Sequence, residues 1–294
     1  MNLVGLISGP LFFLLVMAVP IPGLAPGAHH LAAVMALVFS LWVTEALPLA
    51  VTALLGTVLV VLLGIAPVKE SLTPYADPII FLFMGSFFIA EAMSAHGLHR
   101  RIALRLLSLP FFGRSATRIL IGCGVIAAIL SMWMSNSGTT AMMLPVVLGI
   151  IHRIDTEDPD TRNYATGLLL MIAYGASVGG LATPVGTPPN LVGIGFLENL
   201  TGVRINFFSW MTLTLPLVVV MLFCLSLLLG RFHGAARVGL RVARHEIQQE
   251  VKTLGAWTQG EKSTLAAFLT AVTLWLSPSL LGLVLGGKSP WSLS

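Results

Sequence analysis

The sequence predicts an all-α protein that crosses a membrane several times. Three observations carry this. Of its 294 residues 56% are AVILMFWYC and only 10% are charged. Six charge-poor apolar runs each approach the ~20 residues needed to span the hydrocarbon. Two further apolar regions, 115–152 and 164–200, are interrupted by polar or Pro/Gly-rich patches.

With the 29 glycines added, the apolar share reaches roughly two thirds, against an ordinary ~45–50%. Too little polar side chain remains to coat a water-facing surface, which argues against a soluble domain. The net charge of +4 reads as loop charge, not as a nucleic-acid surface. Cys123 and Cys224 sit inside apolar runs and read as small buried hydrophobes, with no disulfide framework. No basic segment precedes the first apolar run and no small-residue cleavage pattern follows it, so 3–19 reads as a retained first span.

In chain order the plain spans are 3–19, 31–47, 49–66, 78–95, 212–229 and 264–286. Five Lys or Arg lie between Arg100 and Arg118 and six between Arg231 and Lys262, while 20–30 has none. The positive-inside rule places both clusters, and with them the N-terminus, in the cytoplasm. Glu45 and Glu91 fall near cytoplasmic ends of spans, where an interfacial or capping role is expected. Between 97 and 107, Leu98, Ile102 and Leu106 recur at helical spacing with Arg101 and Arg105 elsewhere, the pattern of a helix lying in the interface. The polar stretch 231–262 reads as a cytoplasmic helical arm.

The first broken region holds Ser135, Asn136, Ser137, Gly138, Thr139 and Thr140 between two short apolar arms. Unpaired backbone in lipid costs several kcal/mol per group, so such a break persists only inside protein or against a water-filled cavity. A re-entrant hairpin fits, and two full crossings satisfy the charge parity equally. The second region carries Pro184, Pro188 and Pro189 within 179–196, which forbids a continuous helix. A half-bilayer helix starting near Asn190 would then present free N–H groups at membrane depth.

Two discontinuous segments of this kind point to a transport site near the midplane, where helix N-termini face an anion and hydroxyls and carbonyls hold a hard cation. Neither patch contains Lys, Arg, Asp or Glu, so a bound anion would draw positive charge from helix ends and co-bound cations. GASVG (175–179) matches a nucleophile-elbow pattern, but no histidine lies at depth beside it or beside Ser137, and an enzyme is not expected.

Four stretches, WVTEALPLAVTALLG (42–56), YADPIIFLFMGSFFIAEAMSAHGLHRRIAL (75–104), MWMSNSGTTAMMLPVV (132–147) and ATPVGTPPNLVGIGF (182–196), resemble the divalent anion/sodium symporter family of dicarboxylate, citrate and sulfate carriers. The resemblance implies an inverted-repeat, elevator-type homodimer in the plasma (inner) membrane that couples sodium, its only cofactor-like partner, to a small divalent anion. Ser131, Ser135, Asn136 and Gly186 match sodium-site positions, and Asn136, Ser137, Thr139, Thr187 and Pro188 match substrate positions. Thr183, Pro184, Pro189 and Asn190 match the broken-helix loop. The family motif is Ser-Asn-Thr where this chain has Ser135-Asn136-Ser137, which bears on substrate preference.

The implied organisation is a scaffold over 1–109, a transport unit over 110–230, the arm over 231–262 and, from 263 to 294, the first span of a second repeat. LWLS (274–277) echoes LWVT (41–44), so the chain is expected to be truncated after one repeat. The alternative is a non-transporting membrane subunit.

Overall fold

Every regular element is a helix among the residues that the computed structural model describes, 2–109, 115–152, 158–203, 205–233 and 242–284. The chain divides into two compact units, Met1–Ile80 and Phe81–Ser294.

The first unit contains α1 (Leu3–Ala18), α2 (Pro26–Val43), α3 (Leu49–Leu62), α4 (Val68–Leu72) and a 3₁₀ turn (Thr73–Ala76). α1 packs on α2 and α2 on α3. The approach depends on small residues, since a Cβ at Gly9 would come within 3.2 Å of the Leu37 and Leu41 side chains. Leu37, Leu41 and Ala46 form the buried centre, flanked by Leu6, Phe13 and Leu55. The outer faces are apolar: Leu3 is 70% exposed, Phe39 68% and Leu62 73%. That pattern suits lipid and not water.

Glu45 sits just past the end of α2, where its backbone forms the cap. It is exposed, with φ 49°, at the residue that ends α2. There the Ala46 N–H donates to the Leu41 carbonyl at 3.2 Å and the Glu45 N–H to the Trp42 carbonyl at 3.2 Å. This is a left-handed C-terminal cap made by backbone, in a conformation that favours glycine. Glu91, in α5 (Pro78–Ala95), is exposed.

The second unit contains most of α5 together with α6 (Leu98–Leu107), α7 (Ala116–Ser131), α8 (Asn136–Ile151), α9 (Pro159–Gly179), α10 (Pro188–Thr201), α11 (Phe207–Phe232), α12 (Val242–Thr253) and α13 (Gln259–Val284). Its core is built on α7 and α9, with Ile119, Leu120, Ile126, Leu168, Met171 and Ile172 buried between them and their neighbours. Gly175 faces the Gly124 backbone, where a Cβ would lie 2.8 Å from the Gly124 carbonyl oxygen, and Gly179 faces Ala128. The GASVG run is therefore the small-residue face of a continuous helix. It is not a nucleophile elbow, and Ser177 donates to the Ala173 carbonyl one turn back. Asp158 starts α9 by accepting from the Thr161 N–H at 3.1 Å, with Pro159 at the first helical position.

α6 is the segment expected to lie in the interface. Leu98, Ala103, Leu104 and Leu107 are buried, and the helix packs on α7, α8, α12 and α13. Its apolar face meets protein, and Arg101 is 2% exposed. The Arg101 Nε donates to Glu261 at 2.5 Å, and its two terminal nitrogens donate to the carbonyls of Leu254, Gly255 and Ala256 at 2.8–3.1 Å. Its guanidinium also lies 5.1 Å from the Trp257 ring. Glu261 in turn accepts from the Thr258 N–H at 2.8 Å, and its own N–H donates to the Thr258 hydroxyl, a capping box at the start of α13. One buried arginine thus closes the end of α12 and holds the start of α13. The arm ends in a docked elbow.

The six expected spans each contain a helix, with shifted ends: α2 begins at Pro26, α3 ends at Leu62 and α11 begins at Phe207. α7 and α8 are 16 residues each, about 24 Å at 1.5 Å per residue, short of a full crossing of a ~30 Å core.

Candidate functional site: a hairpin turn against a helix break

α7 ends at Ser131 and α8 starts at Asn136, so the hairpin turn is Met132–Ser135. Most of the polar run at the hairpin tip forms the start of α8. Ser135 is its N-cap, accepting from the Gly138 N–H at 3.2 Å, and Thr140 donates to the Asn136 carbonyl at 2.9 Å. A serine side chain competes with helical backbone in mid-helix and caps at a start, which explains why the break begins just before Ser135. The Asn136 and Ser137 N–H groups stand in the first turn, beyond the reach of intrahelical carbonyls.

α9 ends at Gly179 and α10 starts at Pro188, leaving residues 180–187 unwound. Four of this segment's carbonyls are held by side chains. The Asn190 Nδ2 donates to both Gly180 and Thr183 carbonyls at 2.8 Å. From α11, the Trp210 indole donates to the Leu181 carbonyl at 3.0 Å and the Thr214 hydroxyl to the Ala182 carbonyl at 3.1 Å. Sequence reasoning missed Trp210 and Thr214. The signal was available in their i, i+4 spacing at the start of a span.

The expectation of free amide donors at the start of α10 needs correction. Pro188 and Pro189 have no N–H, and the Asn190 N–H is bonded to the Thr187 carbonyl at 3.1 Å. The first-turn amide donors left free of helical carbonyls are those of α8. The start of α10 contributes its dipole.

The two breaks touch. The Thr183 hydroxyl donates to the Met132 carbonyl in the hairpin turn and accepts from the Gly186 N–H at 3.0 Å. The Asn136 Oδ1 lies against the α-carbon of Gly180. A Cβ on Gly186 would sit 2.5 Å from the Gly180 carbonyl oxygen and 3.0 Å from the Ser131 carbonyl oxygen, so only glycine allows both to approach. The Ser131 hydroxyl, itself 0% exposed, donates to the Asn136 Oδ1 at 2.7 Å.

Of the expected sodium-site residues, Ser131, Asn136 and Gly186 are brought together, while the Ser135 hydroxyl is engaged as a cap. Of the expected substrate residues, Ser137 is exposed at the start of α8 and Pro188 at the start of α10. Thr187 is half-buried and extended, with φ −150°. Thr139 is fully buried, and its hydroxyl has no hydrogen-bond partner among the described residues. In the loop, Thr183, Pro184 and Asn190 are buried and Pro189 is exposed. Among the described residues no group of three His, Cys, Asp or Glu could hold a metal ion. The oxygens gathered here are carbonyl, amide and hydroxyl, the donor set of a hard cation.

Apolar-surfaced helices around two facing backbone breaks define a helical membrane protein of the transporter class. Residues 1–284 match the family model described as the sodium:sulfate symporter transmembrane region, and the chain belongs to that family, one of symporters and not of enzymes. It is 33% identical over 290 residues to a sodium-dependent dicarboxylate transporter, SdcS, of Staphylococcus saprophyticus, covering 95% of this chain and 55% of that protein. It is 34% identical over 291 residues to SdcS of Staphylococcus aureus strain USA300, again covering 95% and 55%. The chain thus spans about half the length of the curated relatives it matches.

Proposed function

We propose that this chain forms one half of the pathway of a sodium-coupled carrier of small divalent anions, C4-dicarboxylates, citrate or sulfate. The observation that carries the reading is the convergence at Gly186 of uncharged oxygens from Ser131 and Gly180, beside Asn136 at the start of α8. A cation there neutralises part of a dianion's charge, and the α8 N-terminus supplies donors from Asn136 and Ser137. Sodium ligation falls to Ser131, Ser135, Asn136 and Gly186. Substrate contact falls to Asn136, Ser137, Thr139, Thr187 and Pro188. Anion affinity then depends on sodium occupancy, which is the thermodynamic form of coupling.

In this reading residues 1–109 serve as scaffold, and the hairpin, the broken helix and α11 move as an elevator within a homodimer. The N-terminus and both basic clusters face the cytoplasm at the plasma membrane. The relatives' names and the uncharged site support anion transport with sodium over a purely structural role.

The purified chain's unfolding temperature, measured in sodium chloride and in choline chloride with and without succinate, citrate or sulfate, tests the reading. A rise specific to sodium, enlarged by one of the anions, is expected. Equal unfolding temperatures in the two salts, with and without each anion, would count against it.

A further inference from the structure

Thr183 lies in the broken-helix loop outside the sodium and substrate contacts, and its hydroxyl is the point at which the two breaks are bonded. It is 0% exposed. It accepts from the Gly186 N–H and donates to the Met132 carbonyl, so it spans from the middle of the unwound segment to the turn of the hairpin. Its own carbonyl is held by Asn190, which also holds the Gly180 carbonyl. The two carbonyl oxygens crowding Gly186 come one from each break, Ser131 from the hairpin and Gly180 from the unwound segment. Their separation is therefore fixed across the same seam that the Thr183 hydroxyl bridges.

We propose that Thr183 is a positioning residue: its hydroxyl locks the hairpin turn to the helix break and so sets the spacing of the Ser131 and Gly180 carbonyls around Gly186. The cation contact rests on the function proposed above, whereas the lock between the two segments does not. A hydroxyl is required because the position must both donate and accept. Valine keeps the shape and loses both side-chain bonds, leaving the Met132 carbonyl without that donor and the Gly186 N–H with only its 3.4 Å contact to the Thr183 carbonyl. Serine keeps both bonds and loses only a methyl group.

Two measurements on the full chain in nanodiscs separate the lock from its consequence. In hydrogen–deuterium exchange without sodium, Thr183→Val is expected to speed exchange in residues 180–190 and also in 129–138, while Thr183→Ser restores wild-type rates in both. Acceleration confined to 180–190, or a serine variant as fast as valine, overturns the lock, and an unfolded valine variant leaves the serine comparison and the 129–138 rates of Asn190→Ala to decide.

In sodium titrations read by unfolding temperature, Thr183→Val is expected to need about ten-fold more sodium for half its effect, the factor that one lost buried hydrogen bond is worth. Thr183→Ser is expected to stay near wild type. An unshifted valine titration overturns the positioning role. A wild-type chain that ignores sodium while exchange shows the lock overturns the cation part of the proposal together with the proposed function.

Discussion

The Ser131 hydroxyl donates to the Asn136 side-chain oxygen at 2.7 Å, joining the last residue of α7 to the first residue of α8 across the hairpin turn. The bond fixes the rotamer of an amide that also lies against Gly180 of the broken helix. Ser131→Ala removes the restraint without adding bulk. In a protein of the relatives' full length containing this chain, it should raise the sodium concentration for half-maximal uptake by about ten-fold. An unchanged sodium dependence would remove Ser131 from the site.

Thr139 offers a sharper discrimination between structure and function. Its buried hydroxyl has no partner among the described residues, so replacing it by valine removes an unpaired polar atom and should leave the unfolding temperature unchanged or higher. If the hydroxyl serves the anion, Thr139→Val lowers uptake while folding is intact. A valine variant that is stable and fully active would take Thr139 out of the substrate contacts.

The buried Arg101–Glu261 pair makes a prediction about stability. Arg101→Gln leaves Glu261 buried and four carbonyl or carboxylate acceptors without their charged donor. It should cost about 3–5 kcal/mol, whereas replacing both partners by apolar residues of similar size should cost far less. Thermal unfolding of the single and double variants reads the difference, and an additive pair would contradict the buried coupling.

The same pair sets an acid limit. Glu261 precedes the apolar run at 264. The Arg101 guanidinium beside it holds its carboxyl below the ordinary 4.5, outweighing burial, and the Thr258 N–H adds to the lowering. A depressed native value contributes stability that is complete above pH 4.5 and is lost as pH falls through the native value. Unfolding temperature should therefore fall below pH 4.5 in the wild type, and Glu261→Gln should flatten that fall. An equally steep fall in the variant would place the acid sensitivity elsewhere.

Glu45 gives a test away from the site. With φ 49° it occupies a conformation that glycine adopts freely. Glu45→Gly should stabilise the protein by about 1 kcal/mol, and a loss of stability would mean that the Glu45 side chain does more than end α2.

The sequence made the two breaks legible because prolines and a run of hydroxyl residues contradict a continuous membrane helix at the level of the backbone itself. Pro188 and Pro189 also announced the missing donors at α10, although their consequence for anion binding emerges only once Asn190 is seen bonded to Thr187. The Arg101–Glu261 pair was not legible. Its partners are 160 residues apart, and each alone resembles an ordinary interfacial charge. The bridge from Thr183 to Met132 was hidden for the same reason. Spacing along a helix constrains neighbours three or four residues apart, and it says nothing about which turn meets which break.

The central claim is that the hairpin tip at Asn136 and the break at Gly186 form a sodium-dependent site for a divalent anion. Uptake of labelled succinate, citrate and sulfate into proteoliposomes tests it most directly, using a full-length protein containing this chain, with and without a sodium gradient, as wild type and as Asn136→Ala. The account predicts sodium-driven uptake of at least one anion by the wild type and none by Asn136→Ala present at equal amount in the membrane. Sodium-driven uptake by Asn136→Ala equal to that of the wild type would contradict it.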